Sequence, residues 1–152
     1  MSASPEAYPP VTELLPHTGA WVLLSRVLEH ELDATTCLIT VGEAFPFPLD
    51  RGRVPALVGL EYMAQCIAVH GALRAREEDE PTPLGFLLGA RDVEMRTEGF
   101  RPGQHLEVTV RRIWGERSFF LFDCRLRDGA SRQLLMEGNL KVFRSAAPEP
   151  AA

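Results

Sequence analysis

The stretch VPALVGLEYMAQCIAVHGAL, Val54 to Leu73, constrains this chain most: it is almost continuously apolar, yet it carries a glutamate at position 61. Its length and the proline near its start predict a helix, because Pro55 supplies the φ of a first turn and lacks only an N–H that no helical acceptor would use. A helix apolar on nearly every side has to be wrapped by other structure. Inside such a wrapping an unpaired charge is costly. Glu61 must therefore reach a polar edge or have chemistry to do.

The flanking sequence supplies strands to wrap it. WVLLSRVLEHELD ends in alternation, Val27, Glu29 and Glu31 against Leu28, His30 and Leu32, and TTCLITVGEA follows Asp33-Ala34, which reads as two antiparallel strands. AFPFPLDRGRVP, with three prolines and a glycine, is a loop. The helix is expected from about Pro55 to about Arg76, fraying where REEDEPTP brings acidic residues to the negative end of the helix dipole. Four β-like segments come next, GFLLGARDVEMR, HLEVTVRRIW, SFFLFDCRLR and QLLMEGNLKVF, with a hairpin signal at Asp128-Gly129. Two strands, one long helix and four strands without βαβ alternation indicate an α+β fold, a six-stranded antiparallel sheet curled around a single helix.

At 152 residues and 45% hydrophobic, the chain is the size of one domain, read as residues 13–144 between a Pro/Ser/Ala-rich leader (1–12) and a flexible tail (145–152). A net charge of -5 without a basic tract argues against a general nucleic-acid binder. Cys37, Cys66 and Cys124 lie in apolar segments without C-x-x-C spacing and read as reduced packing residues. The N-terminal sequence has neither a basic nor an apolar signal region, and no apolar run reads as clean enough to span a bilayer, so the expected compartment is the cytoplasm. With no glycine-rich phosphate loop, metal-ligand spacing or Ser-His-Asp arrangement, no cofactor is expected.

LLPHTGAWVLLSRV followed by VPALVGLEYMAQ resembles the β-hydroxyacyl-ACP dehydratases of the FabZ/FabA type, which carry an L-P-H start and a P-G-x-x-x-x-E-A-M-A-Q helix. The likeness continues through FLLGARDVEMRTEGFRPGQHLEVTVRR, so that it runs from about Leu14 to Phe143. Within that family, P-A-x-x-G-x-E-Y-M-A-Q is most similar to the divergent branch found in aryl-polyene and related pigment pathways. The resemblance implies a hotdog fold, in which the sheet wraps the central helix and two protomers pair to share active sites. It also implies elimination of water from a 3-hydroxyacyl group, carried on the phosphopantetheine of an acyl carrier protein, to give a trans-2-enoyl thioester.

On that resemblance Glu61 stands where the family's helix carboxylate protonates the leaving hydroxyl. Its neighbours one turn away, Leu57 and Val58 on one side and Ala64 and Gln65 on the other, disfavour a charged form, and a neutral carboxyl can donate a proton. The plain alternative is a glutamate at a polar edge of the helix. Pro55 keeps the family's proline, Ala56 replaces the glycine whose N–H would polarise the thioester, and Leu57 follows. Gly59 would give room for the acyl chain or allow close packing on the sheet, and Gln65 would bond Glu61, a substrate or an interface. Arg51, Arg53, Arg91 and Arg96 are candidates for docking an acidic carrier protein, with a solvated surface as the plain reading.

One departure matters most. The family's base is a histidine in a G-H-F-P loop; counting back from Glu61 reaches Phe47 instead. Of the four histidines, His70 sits nearly opposite Glu61 on the helix, and His30 and His105 read as solvated, which leaves His17 of the L-P-H block. Either His17, whose plain role would be to fix the entry into the first strand by hydrogen bonding, serves as the base, or a second hotdog chain supplies one across a heterodimer interface; the expected assembly is a homodimer or a heterodimer with another hotdog protein. A non-catalytic or half-catalytic subunit and a thioesterase with a water-activating carboxylate stand as the other readings.

Overall fold

The computed structural model describes residues 7–42, 46 and 48–145. A short helix α1 (Val11–Leu14) and a 3-10 turn (Gly19–Trp21) lead into β1 (Arg26–His30) and β2 (Ala34–Thr40). The two-residue β3 (Val54–Pro55) runs through a 3-10 turn (Ala56–Val58) into the long helix α2 (Gly59–Glu77). After it come β4 (Leu84–Met95), the short β5 (Gly99–Phe100), β6 (His105–Glu116), β7 (Phe119–Asp128) and β8 (Leu134–Ser145). Six strands form one antiparallel sheet in the order β1-β2-β6-β7-β8-β4, with α2 packed on it. This is the expected hotdog arrangement.

The core explains why α2 is apolar on nearly every side. Met63, Cys66 and Val69 are fully buried, as are Cys37, Ile39, Leu106, Val108, Leu126 and Leu140 from the strands. Each large aliphatic side chain so buried contributes about 1.5–3 kcal/mol before conformational entropy is charged against it. Burial raises the thiol pKa values of Cys66 and Cys124, which suits their reading as packing residues. At Gly59 an added Cβ would run into the sulfur of Met136, so this glycine lets the helix approach the sheet and leaves no room there for an acyl chain.

Several expectations need correction. Packing begins before residue 13: Val11 is buried in the core, and the Tyr8 hydroxyl accepts a hydrogen bond from the His30 N–H at 3.2 Å. The alternation read along residues 27–32 is interrupted by a bulge between Val27 and Glu29, which switches parity and turns both Val27 and His30 inward. The acidic end of α2 is not left loose, because Arg74 pairs with Glu77 at 2.5 Å and with Glu78 at 2.7 Å. The β3–β5 pair was not foreseen; Val54 opposite Phe100 and Pro55 opposite Gly99 anchor the entry to α2. Finally, the run Ala56–Glu77 is long and apolar enough to cross a membrane by length and a mean hydropathy of 1.3, contrary to the sequence reading, but 61% of its most apolar window is buried inside the fold.

Candidate active site

The first turn of α2 carries Glu61, and the segment between α1 and the 3-10 turn carries His17. The fold brings them together: His17 Nε2 lies 3.5 Å from Glu61 Oε1. The Glu61 side chain is 49% exposed, so the burial expected to surround it is absent within the single chain, and the carboxylate stands at the surface edge of the helix. The His17 side chain is about one-third exposed, yet its Nδ1 is buried without a partner among the described residues.

Gln65, one turn further along, holds this carboxylate to the scaffold. Its Nε2 donates to Glu61 Oε1 at 3.1 Å and to the Trp21 carbonyl at 2.8 Å, while its Oε1 accepts from the Leu23 N–H at 3.0 Å. Only 1% of it is exposed, so the amide is committed to protein partners and is not a substrate contact. The contacts with residues 21 and 23 were invisible in the sequence, since they go to main-chain atoms of a distant turn. The Gln65 amide donates to Oε1 of Glu61 and the His17 ring approaches the same oxygen, while Oε2 has no partner among the described residues.

The remaining candidates fall on both sides of expectation. The Ala56 N–H donates to the Glu98 carbonyl at 3.3 Å and the residue is buried, so it cannot hold a thioester oxygen. Leu57, with 63% of its surface exposed, stands beside it at the start of the helical run, where donors lack helical acceptors. Pro55 is half-buried in β3, and Phe47 lies outside the described residues. Next to Glu61 in sequence, Tyr62 turns inward against Phe100, and burial pushes its phenol up to about 12. With Val22, Leu23, Ile39, Thr40 and Val54 it lines a half-open, mainly apolar cavity of about 200 Å³.

His30 corrects a reading more sharply. Its side chain is 6% exposed, with Nε2 2.6 Å from Glu77 Oε1 and Nδ1 2.8 Å from the Thr35 hydroxyl. The same hydroxyl lies 2.7 Å from His70 Nδ1, which makes a chain Glu77–His30–Thr35–His70 at the far end of α2, running from an exposed carboxylate to a buried imidazole. His70 is the expected core histidine, and burial, aided by His30, holds it down to about 4. His105 is exposed as expected, 3.2 Å from the Thr40 hydroxyl.

Arg51, Arg53 and Arg91 are exposed and have no acidic partner among the described residues, whereas Arg96 pairs with Glu94 and Glu137. No cluster of three or more His, Cys, Asp or Glu able to hold a metal ion occurs among the described residues.

Comparison with known proteins bears on this geometry. A family model described as ApeP-like, ApeP dehydratase, matches residues 9–151. The structure of the dehydratase heterocomplex ApeI:P from Xenorhabdus doucetiae is similar at 28% identity and a TM-score of 0.83, covering 91% of this chain and 92% of that one. Zebra fish thioesterase superfamily member 2 is similar at 12% identity and a TM-score of 0.65, over 88% of this chain and 91% of that one. The E. coli PaaI protein from the phenylacetic acid degradation operon is similar at 10% and 0.61, over 78% and 81%. The last two share the fold alone. No curated protein matches.

Proposed function

This chain belongs to the ApeP-like dehydratase family, and from that premise we propose that it removes water from 3-hydroxyacyl groups borne on an acyl carrier protein, in aryl-polyene-type biosynthesis. The observation that carries the reading is the divided state of Glu61: Oε1 is approached by two nitrogens, and Oε2 is left without a partner among the described residues at an exposed helix edge. A carboxyl held by one oxygen is fixed in position and still has the other for proton transfer.

In the elimination a base takes the Cα proton, the C–H electron pair becomes the double bond, and the β-hydroxyl leaves as water with the proton of Glu61. Since the Ala56 N–H is occupied, the donor nearest in sequence that can polarise the thioester carbonyl at the start of the helix is that of Leu57. The mainly apolar cavity beside Tyr62 gives the acyl chain a place to lie. Arg51 and Arg53, unpaired on the approach to α2, suit the acidic carrier.

We further propose that the working unit is a heteromer with a second hotdog chain. The solved relative is a heterocomplex, and the loop histidine is missing here. β4, at the sheet edge, is exposed along nearly all its length, including Leu84, Phe86, Leu87 and Leu88. A bare strand edge of that kind is ready to pair with another strand.

The test is mass analysis of 3-hydroxyacyl carrier protein incubated with this chain alone and with a second hotdog dehydratase chain. Loss of water in the mixture is expected. Release of free acid would instead make the chain a thioesterase, and dehydration at full rate by this chain alone would remove the need for a heteromer.

A further inference from the structure

The dehydratase reading leaves the role of His17 open, and the two nitrogens of its ring settle it. Nδ1 is buried without a partner among the described residues. A buried nitrogen in that position is less costly as a lone pair than as an orphaned N–H, which places the proton on Nε2. Nε2 is the nitrogen facing Glu61 Oε1 at 3.5 Å, where an N–H is attracted and a lone pair repelled. Both ends of the ring thus select the same tautomer. The basic lone pair is then buried, and the nitrogen facing the site already carries a proton.

We propose that His17 is a positioning residue for Glu61 and does not itself take the Cα proton. The Nε2–H of His17 and the amide of Gln65, which donates to the same oxygen at 3.1 Å, keep Oε1 an acceptor. The acid proton is thereby confined to Oε2, the oxygen without a partner among the described residues, from which it passes to the leaving hydroxyl. If His17 offered a lone pair instead, it would draw that proton to Oε1 and away from the substrate. At 3.5 Å the contact is an approach rather than a formed hydrogen bond, and such contacts shorten when substrate closes a site. The inference rests on the dehydratase reading.

The experiment compares the wild-type heterocomplex with His17→Gln and His17→Ala on 3-hydroxyacyl carrier protein. Glutamine keeps an N–H donor and cannot take a proton near neutral pH. His17→Gln is expected to stay within about 5-fold of wild type, with the acidic limb of its pH profile unmoved; His17→Ala should lose roughly 10-fold in kcat at unchanged KM, the size of one hydrogen bond to a charged or reacting group. A loss of roughly 100-fold or more in His17→Gln, together with disappearance of a limb near the ordinary imidazole value of about 6.5, would make His17 the base and overturn the inference. Absence of dehydration by the wild type would instead overturn the underlying reading. A variant-free measurement decides the same point: nitrogen chemical shifts of wild-type His17 should report a protonated Nε2 and a bare Nδ1, and the reverse tautomer contradicts it.

Discussion

Helix α2 has a histidine–glutamate contact at each end, and the two are built oppositely. At the far end His30 and Glu77 meet at 2.6 Å, the imidazole is 6% exposed, and its second nitrogen is used by Thr35, which also serves His70. At the near end His17 and Glu61 stand 3.5 Å apart, both partly exposed, with one imidazole nitrogen and one carboxylate oxygen unpartnered among the described residues. The same two residue types make a closed fastening in one place and an open site in the other. What separates them is how many of the polar atoms are satisfied, since a saturated network rigidifies while unsatisfied atoms remain available for chemistry.

The comparison predicts that stability depends on the far end and turnover on the near end. The largest stability effect is with pH. Burial holds His70 down to about 4 in the folded chain, with the charges of His30, Arg112 and Arg74 adding to it and Asp33 opposing. As pH falls from about 6.5 towards 4, the unfolded chain binds a proton that the native chain does not, so stability falls, and the loss levels off below the folded value. The full effect is on the order of 3 kcal/mol, and His70→Asn should flatten that part of a denaturation-versus-pH series.

Next comes Thr35→Val, which keeps the shape of Thr35 and removes the hydroxyl between two imidazoles. It is expected to cost about 2–3 kcal/mol by urea denaturation with turnover unchanged. A loss of turnover equal to that of a near-end variant would erase the distinction between the two ends. Gln65→Ala should show both signatures, because it strips the Leu23 N–H and the Trp21 carbonyl of their partner as well as Glu61. About 1–2 kcal/mol in stability and a drop in kcat larger than any change in KM are expected. The smallest effect is Arg74→Ala: its pairs with Glu77 and Glu78 sit at the exposed helix end, so less than about 1 kcal/mol is at stake.

The asymmetry between the ends also marks what the sequence could convey. The order of elements was legible because apolar periodicity in β2, β6, β7 and β8 matches the face each strand buries. His30 was misread because a bulge beside Leu28 changes which side chains face inward, and no local pattern announces it. Of the two readings open for Gly59, close packing on the sheet is the one its neighbour Met136 supports, and that neighbour is distant in sequence. Glu61 stood out as a charge in an apolar helix, whereas His17 was reached only by elimination among the histidines, with a base from another chain left open. The bond from Gln65 to Glu61 was legible from their spacing, whereas the anchoring of Gln65 to residues 21 and 23, and the occupied N–H of Ala56, depend on main-chain atoms of other segments that side-chain patterns do not encode.

The central claim is that the open end of α2 does the proton transfer in this chain's complex. It is tested most directly by assembling Glu61→Gln with an unaltered second hotdog chain and measuring dehydration of 3-hydroxyacyl carrier protein. The account predicts an intact complex whose rate falls by roughly 100-fold or more, the effect of removing a general acid. A complex with Glu61→Gln that works at the wild-type rate would contradict it and leave this chain a scaffold for its partner.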